Sequence, residues 1–134
     1  MNYKDMIETA VDNFRENLTN IADSLENTSL TPDSLCDLSK GLLEASAEAS
    51  RGFLREYLQS EDVIEEVIEQ DGKRFRYKDT SGRIFMTFLG PIRIERALYQ
   101  QDQGGRAFFS LDEKCGIHGF YATRDVRGAC LFLM

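Results

Sequence analysis

At Gly72 the spacing of apolar residues changes, and with it the kind of structure the chain can form. Upstream, Ile7, Val11, Phe14, Leu18, Ile21 and Leu25 follow one another at steps of 4, 3, 4, 3 and 4. That is the stripe of an amphipathic helix over about residues 3–27, with Asp5, Asp12, Glu16, Asp23 and Glu26 on the opposite face. Fewer than four heptads suit a helical hairpin better than a long coiled coil. Thr31-Pro32 offers a capping hydroxyl and a proline at the first helical position. Leu35, Leu38, Leu42, Ala45, Ala49 and Phe53 then carry a second helix over about residues 32–59. Ala45, Ala47, Ala49 and Gly52 leave room for a close neighbour, and the short loop makes the two helices antiparallel. Ser60-Glu61-Asp62 reads as the cap of a third short helix or a continuation, ending at Asp71-Gly72.

Downstream the period is 2. Phe75 and Tyr77 alternate with Arg74, Arg76 and Lys78; Thr80-Ser81-Gly82 reads as a turn; Ile84, Met86 and Phe88 alternate behind it. Residues 73–89 are therefore expected as a β-hairpin. Gly90-Pro91 interrupts the run, Ile92, Ile94 and Leu98 continue it, and Gln103-Gly104-Gly105 makes another turn before Arg106–Leu111. Residues 128–134 have the apolar run of a buried strand. The fold class expected is α+β: an N-terminal antiparallel helical hairpin packed on a C-terminal antiparallel β-sheet of residues 73–133. A single domain over 1–134 is expected, with core residues Phe14, Leu18, Leu42, Phe53, Ile84, Phe88, Ile94, Phe109 and Leu131.

The two periods coincide with two charges. Residues 1–72 hold 17 acids against 5 Lys/Arg, a net of −12, and residues 73–134 hold 6 against 11, a net of +5. Overall acidity argues against phosphate contact, yet the second half is basic enough for it, while the first half complements a basic protein surface. With 42% hydrophobic and 29% charged residues the chain is neither disordered nor fibrous. The longest apolar run, Ala129–Met134, is too short to span a bilayer. The acid-rich N-terminus lacks a signal-peptide h-region, and three widely spaced cysteines suit reduced thiols, so a cytoplasmic protein is expected.

No residue pattern specifies a reaction. Cys115-x-x-His118 is the closest ligand pair, one short of the three a metal needs, and Cys36 and Cys130 stand in apolar settings. The same pair lacks the framing motif of a nucleophilic site. Asp112 and Glu113 are adjacent, so they point apart and read as an N-cap. Gly104-Gly105 lacks the helix and lysine of a phosphate loop. The chain reads as a non-enzyme with no metal or cofactor.

One ordered set of segments carries a resemblance: Arg76-Tyr77-Lys78; Thr87 to Tyr99, with Phe88-Leu89-Gly90 and Arg96-Ala97-Leu98-Tyr99; and Leu111-Asp112-Glu113-Lys114-Cys115-Gly116-Ile117. Over about residues 40–117 it resembles the amino-terminal, non-catalytic region of DDE transposases of the Kra and Lre groups of bacterial insertion sequences. Those chains show a Phe-Gly step, an Arg-x-x-Tyr strand and a Leu-Asp-Glu-x-x-Gly segment; here the Phe-Gly step has one residue inserted. The cysteine pair of Kra-type members is replaced by Tyr99 to Gly105, so no zinc carries over. The family's catalytic acids lie far downstream of this region, so the resemblance implies mobile-element descent without an active site.

Three functional readings follow. The first is an interaction protein that binds and modulates a nucleoprotein machine, an anti-CRISPR-type inhibitor being one such class, through Glu61, Asp62, Glu65, Glu66 and Glu69 on a basic protein groove. The second is a DNA-binding module, or truncated transposase remnant, using Lys73, Arg74, Arg76, Lys78, Arg83, Arg93 and Arg96. The third is a product that only folds and self-associates. The Ile7–Leu25 stripe, extended by Tyr3 and Met6, is longer than one hairpin partner needs, so a homodimer through these helices is expected.

Overall fold

A computed structural model describes residues 2–102 and 104–117. The chain divides into two compact units, residues 1–56 and 57–134. The architecture is α+β, with a pair of long helices followed by a four-stranded antiparallel meander.

Helix α1 is Tyr3–Leu25 and α2 is Pro32–Glu61. The Asn2 side chain accepts from the Lys4 amide at 3.1 Å, capping α1. Thr31 and Ser34 cap α2 reciprocally: the Ser34 amide donates to Thr31 Oγ1 at 3.0 Å, and the Thr31 amide to Ser34 Oγ at 2.8 Å. Two amides at the start of the helix gain partners that the backbone cannot supply. The helices run antiparallel, with Asn17 donating to Glu48 at 2.7 Å near the middle.

No third long helix follows. Residues 62–66 are irregular and lead into β1, Val67–Gln70. Asp71 and Gly72 both take positive φ, 54° and 74°, as a two-residue hairpin turn into β2. Asp-Gly is the dipeptide such a turn selects, since both positions must be left-handed. The β-branched residues Val63, Ile64, Val67 and Ile68 ahead of it favour extended chain over helix.

Strand β2 runs unbroken over Lys73–Thr87, so Thr80-Ser81-Gly82 is not a turn. Gly82 instead lies opposite Glu95 in β3, Gly90–Gln101. A Cβ at Gly82 would stand 2.3 Å from the Arg93 guanidinium, so the glycine makes room for side chains crossing the sheet. The chain reverses at Phe88-Leu89, where Gly90 has φ 108° and Thr87 Oγ1 accepts from the Leu89 amide at 3.1 Å. Gly90-Pro91 therefore opens a strand rather than ending one. Strand β4, Ala107–Phe109, and helix α3, Ser110–Lys114, complete the described chain. The expected sheet of 73–133 thus begins earlier and gives way to helix at Ser110; the expected strand at 128–134 lies outside the described residues.

The register shifts once, between Tyr77 and Asp79 in β2. Residues opposite each other in an antiparallel pair share a face, so Phe75 and Tyr77 point to one side of the sheet while Arg83, Phe85 and Thr87 point to the other. One end of the sheet buries Phe75, Ala97, Tyr99 and Phe108. The other buries Phe85, Ile92 and Ile94 on the opposite face. The expected phase of β2 is accordingly wrong by one residue beyond the bulge: Ile84 and Phe88 are 47% and 68% exposed, whereas Phe85 is 0%. Of the other expected core residues, Ile94 is buried; Phe14, Leu18, Phe53 and Phe109 are half-buried; Leu42 is exposed; Leu131 lies outside the described residues.

Phe85→Ala should cost about 3–5 kcal/mol and Ile84→Ala under about 1 kcal/mol, as measured by urea unfolding. The reverse order would restore the expected phase.

Candidate functional site

Among the described residues of the second unit, Arg76, Arg83, Arg93, Arg96 and Arg106 are engaged by acids of that unit. Arg96 follows Ile92 and Ile94 on the buried side of β3, which brings a guanidinium into the core. Its Nε donates to Asp112 Oδ1 at 2.9 Å, and Nη2 reaches Asp112 Oδ2 at 3.4 Å. Nη1 donates to the Ser81 carbonyl at 2.8 Å, and the guanidinium lies 3.7 Å from the centre of the Phe109 ring. Arg83, from β2, donates to Asp112 Oδ2 at 3.1 Å. Two cations on one buried carboxylate form an ionic centre, which stays folded only while every member has a partner. This centre holds α3 to the sheet.

Two of the exposed arginines, Arg76 and Arg93, are paired as well. Arg76 lies 3.3 Å from Asp102 and 4.0 Å from Glu66, and Arg93 pairs with Glu95 at 3.3 Å across Gly82. Of the seven cations named as nucleic-acid candidates, Lys73, Arg74 and Lys78 form no ion pair among the described residues. They lie near the Asp71-Gly72 turn and the bulge. Arg74 and Arg76 take one face of the sheet and Arg93 the other, so the seven do not share a surface.

The five candidate acids do not share a helical surface either. Glu61 ends α2, Asp62, Glu65 and Glu66 lie in the irregular segment, and Glu69 is in β1. Asp62 serves the fold, its carboxylate accepting the Ala97 amide at 2.8 Å. Gln59 does the same two residues away, donating to the Glu95 carbonyl and accepting its amide, both at 2.8 Å. Strand β4 pairs with β3 only at residues 98–100, so Gln59 and Asp62 act as side-chain substitutes for a missing strand. Tyr99 Oη accepts from the Glu65 amide at 3.1 Å and anchors the same segment. Glu65 and Glu69 are the members left exposed without such a role.

Burial raises the Asp62 carboxyl from its ordinary value, against the lowering effect of the Ala97 amide. Burial, reinforced by Asp112, also raises the Cys115 thiol, the opposite of what an activated nucleophile needs. His118 and Cys130 lie outside the described residues. Among the described residues no three His, Cys, Asp or Glu come together as a metal cage, and no helix is long and apolar enough to cross a membrane.

Asp112 and the Gln59–Asp62 edge are the structural residues that sequence reasoning missed. Arg96 in phase with Ile92 and Ile94 is a signal for the first, because an inward arginine requires a buried acid. Nothing local announces the second.

An α+β scaffold with an internal ionic centre is the class these features define. The chain belongs to the uncharacterised protein family UPF0236, whose model matches residues 33–126. No curated protein and no solved structure matches it.

Asp112→Ala should destabilise the protein by about 3–5 kcal/mol in urea unfolding, because it strands the buried Arg96. For Asp62, a raised folded pKa means that its contribution to stability is full below the unfolded value of 3.8 and lost as pH rises through the raised one. Asp62→Asn keeps an acceptor for Ala97 without the charge. It should therefore raise stability at pH 7 relative to wild type, and the gain should vanish below pH 3.8.

Proposed function

We propose that the chain is a non-catalytic interaction protein of mobile-element origin that binds a basic protein surface within a nucleoprotein complex. The observation that carries this reading is the internal pairing of Arg76, Arg83, Arg93 and Arg96 with acids of the same unit. A phosphate contact needs a cation whose counterion is released on binding, and a guanidinium already held by a carboxylate offers little of that. Glu65 and Glu69 remain exposed for a basic partner.

The resemblance to insertion-sequence transposases supports the non-catalytic part. Its residues serve the scaffold: Gly90 turns the hairpin, Tyr99 fills the core, and Arg96 pairs with Asp112. An anti-CRISPR-type inhibitor is one protein with these properties. A second reading, direct DNA binding, rests on Lys73, Arg74 and Lys78.

The two readings separate on salt and on charge reversal. Fluorescence anisotropy with labelled random duplex should show no binding even at about 50 mM salt. The chain should co-purify with a nucleoprotein complex of its source cell, and Glu65→Lys/Glu69→Lys should slow that association without altering the fold. DNA binding that weakens steeply with salt and is lost in Lys73→Glu/Arg74→Glu/Lys78→Glu would transfer the function to DNA.

A further inference from the structure

The helix pair leaves part of its apolar seam exposed. Ile7, Val11 and Leu25 of α1 are 52%, 47% and 43% exposed, and Leu35 and Leu42 of α2 are 54% and 38%. The reason lies in how the helices are rotated. On α1, the side that meets α2 carries Met6, Asn13, Asn17 and, at the edge of the seam, Ile21. At about 100° per residue, the Ile7–Leu25 seam is centred about 90° around the helix from that side. On α2, the side that meets α1 carries Gly41, Glu48 and Gly52. There the seam of Leu35, Leu38, Leu42 and Ala49 is displaced by about 80° in the same rotational sense. Because the helices are antiparallel, equal displacements fall on the same side of the pair. The two seams form one apolar face, two helices wide.

We propose that this face is covered by the same face of a second copy of the chain, giving a four-helix bundle across a two-fold axis. Four observations on the helices point to a copy. First, the 4-3-4-3-4 spacing of the α1 seam is a 3.5-residue period, which keeps an edge aligned with facing helices over its full length. Second, the face is large enough: 23 residues at about 1.5 Å each give about 35 Å, which with two helices each about 10 Å across makes about 700 Å². A standard interface takes about 800 Å² per partner. Third, most acids lie elsewhere. Asp5, Asp12, Glu16 and Asp23 of α1, and Asp33, Asp37 and Glu44 of α2, are all more than about 100° from their seams, so two copies meet with few carboxylates between them. A basic partner, by contrast, would find a single carboxylate on this face, Glu56 towards the end of α2, with Lys4 beside the start of the α1 seam. Fourth, clefts of about 210 Å³ open at both ends of the helix pair, lined in one case by Ile21, Leu25, Leu38 and Gly41, and in the other by Met6, Ala49 and Phe53. The pair does not fill its own interior, as expected of half a bundle.

Sedimentation of the full chain between about 1 and 100 µM tests this directly, since dimer content follows concentration. Wild type should sediment at twice the 15.3 kDa chain mass. Ile7→Lys/Val11→Lys should keep its helical circular dichroism, because both positions are solvent-exposed in the single chain. Its dimer dissociation constant should rise by at least about 100-fold. Leu35→Lys/Leu42→Lys, on the other helix, should do the same, which guards against a folding defect in either pair. Leu43→Lys, 72% exposed and off the seam, should leave the dimer intact. A wild-type monomer throughout this range overturns the proposal. So does a dimer that survives both seam variants.

Discussion

The one-residue irregularity at Lys78 is the constraint on which the rest of the sheet unit depends. A regular four-stranded sheet buries a single face. Here the inward-pointing residues of β2 change sides at the bulge, so the two ends of one sheet have cores on opposite faces. The regular strand β3 records the same switch as two adjacent buried residues, Arg96 and Ala97. Each core then needs its own cover. Helix α3 supplies one, through Asp112 and Leu111; the segment after α2 is tied to the other through Tyr99.

This arrangement explains why the arginine–aspartate centre is ionic rather than apolar. Arg96 sits where the cores change sides, between Ile94 and Ala97, with the Ser81 carbonyl and the Phe109 ring within reach. A guanidinium satisfies a carboxylate, a carbonyl and a ring face at once, which no aliphatic side chain does. Buried ion pairs contribute little net stability against a well-packed apolar alternative, but they tolerate few other geometries. The centre therefore defines where α3 attaches more than how tightly it holds.

The division into helices and then strands was legible because it needs only the period of apolar residues, and so was the Thr31-Pro32 helix start. What misled the reading of β2 was that Ile84, Met86 and Phe88 alternate as cleanly as Arg83, Phe85 and Thr87. Hydrophobicity alone chose the wrong set, since the buried set contains an arginine with a partner 29 residues away. Thr80-Ser81-Gly82 has turn composition, yet its glycine answers to the side chains of Arg93 and Glu95 on the neighbouring strand. Asp71-Gly72 was legible as a boundary but ambiguous in kind, because glycine ends helices and turns hairpins alike. Charge counting by halves located cations without revealing that acids distant in sequence engage Arg76, Arg83 and Arg96. Those pairings are tertiary facts.

The closure of β3 by Gln59 and Asp62 has a consequence for how the protein comes apart. Their amide and carboxylate groups act as a lid over two rungs of open ladder, at Glu95 and Ala97. Helix ends fray more readily than sheet interiors. Unwinding the last turn of α2 therefore exposes a strand edge whose N–H and C=O groups are then free to pair with another chain. A local event in a helix is thereby converted into the opening of a sheet, and proteolytic clipping near residue 60 becomes a route to aggregation instead of a harmless trim.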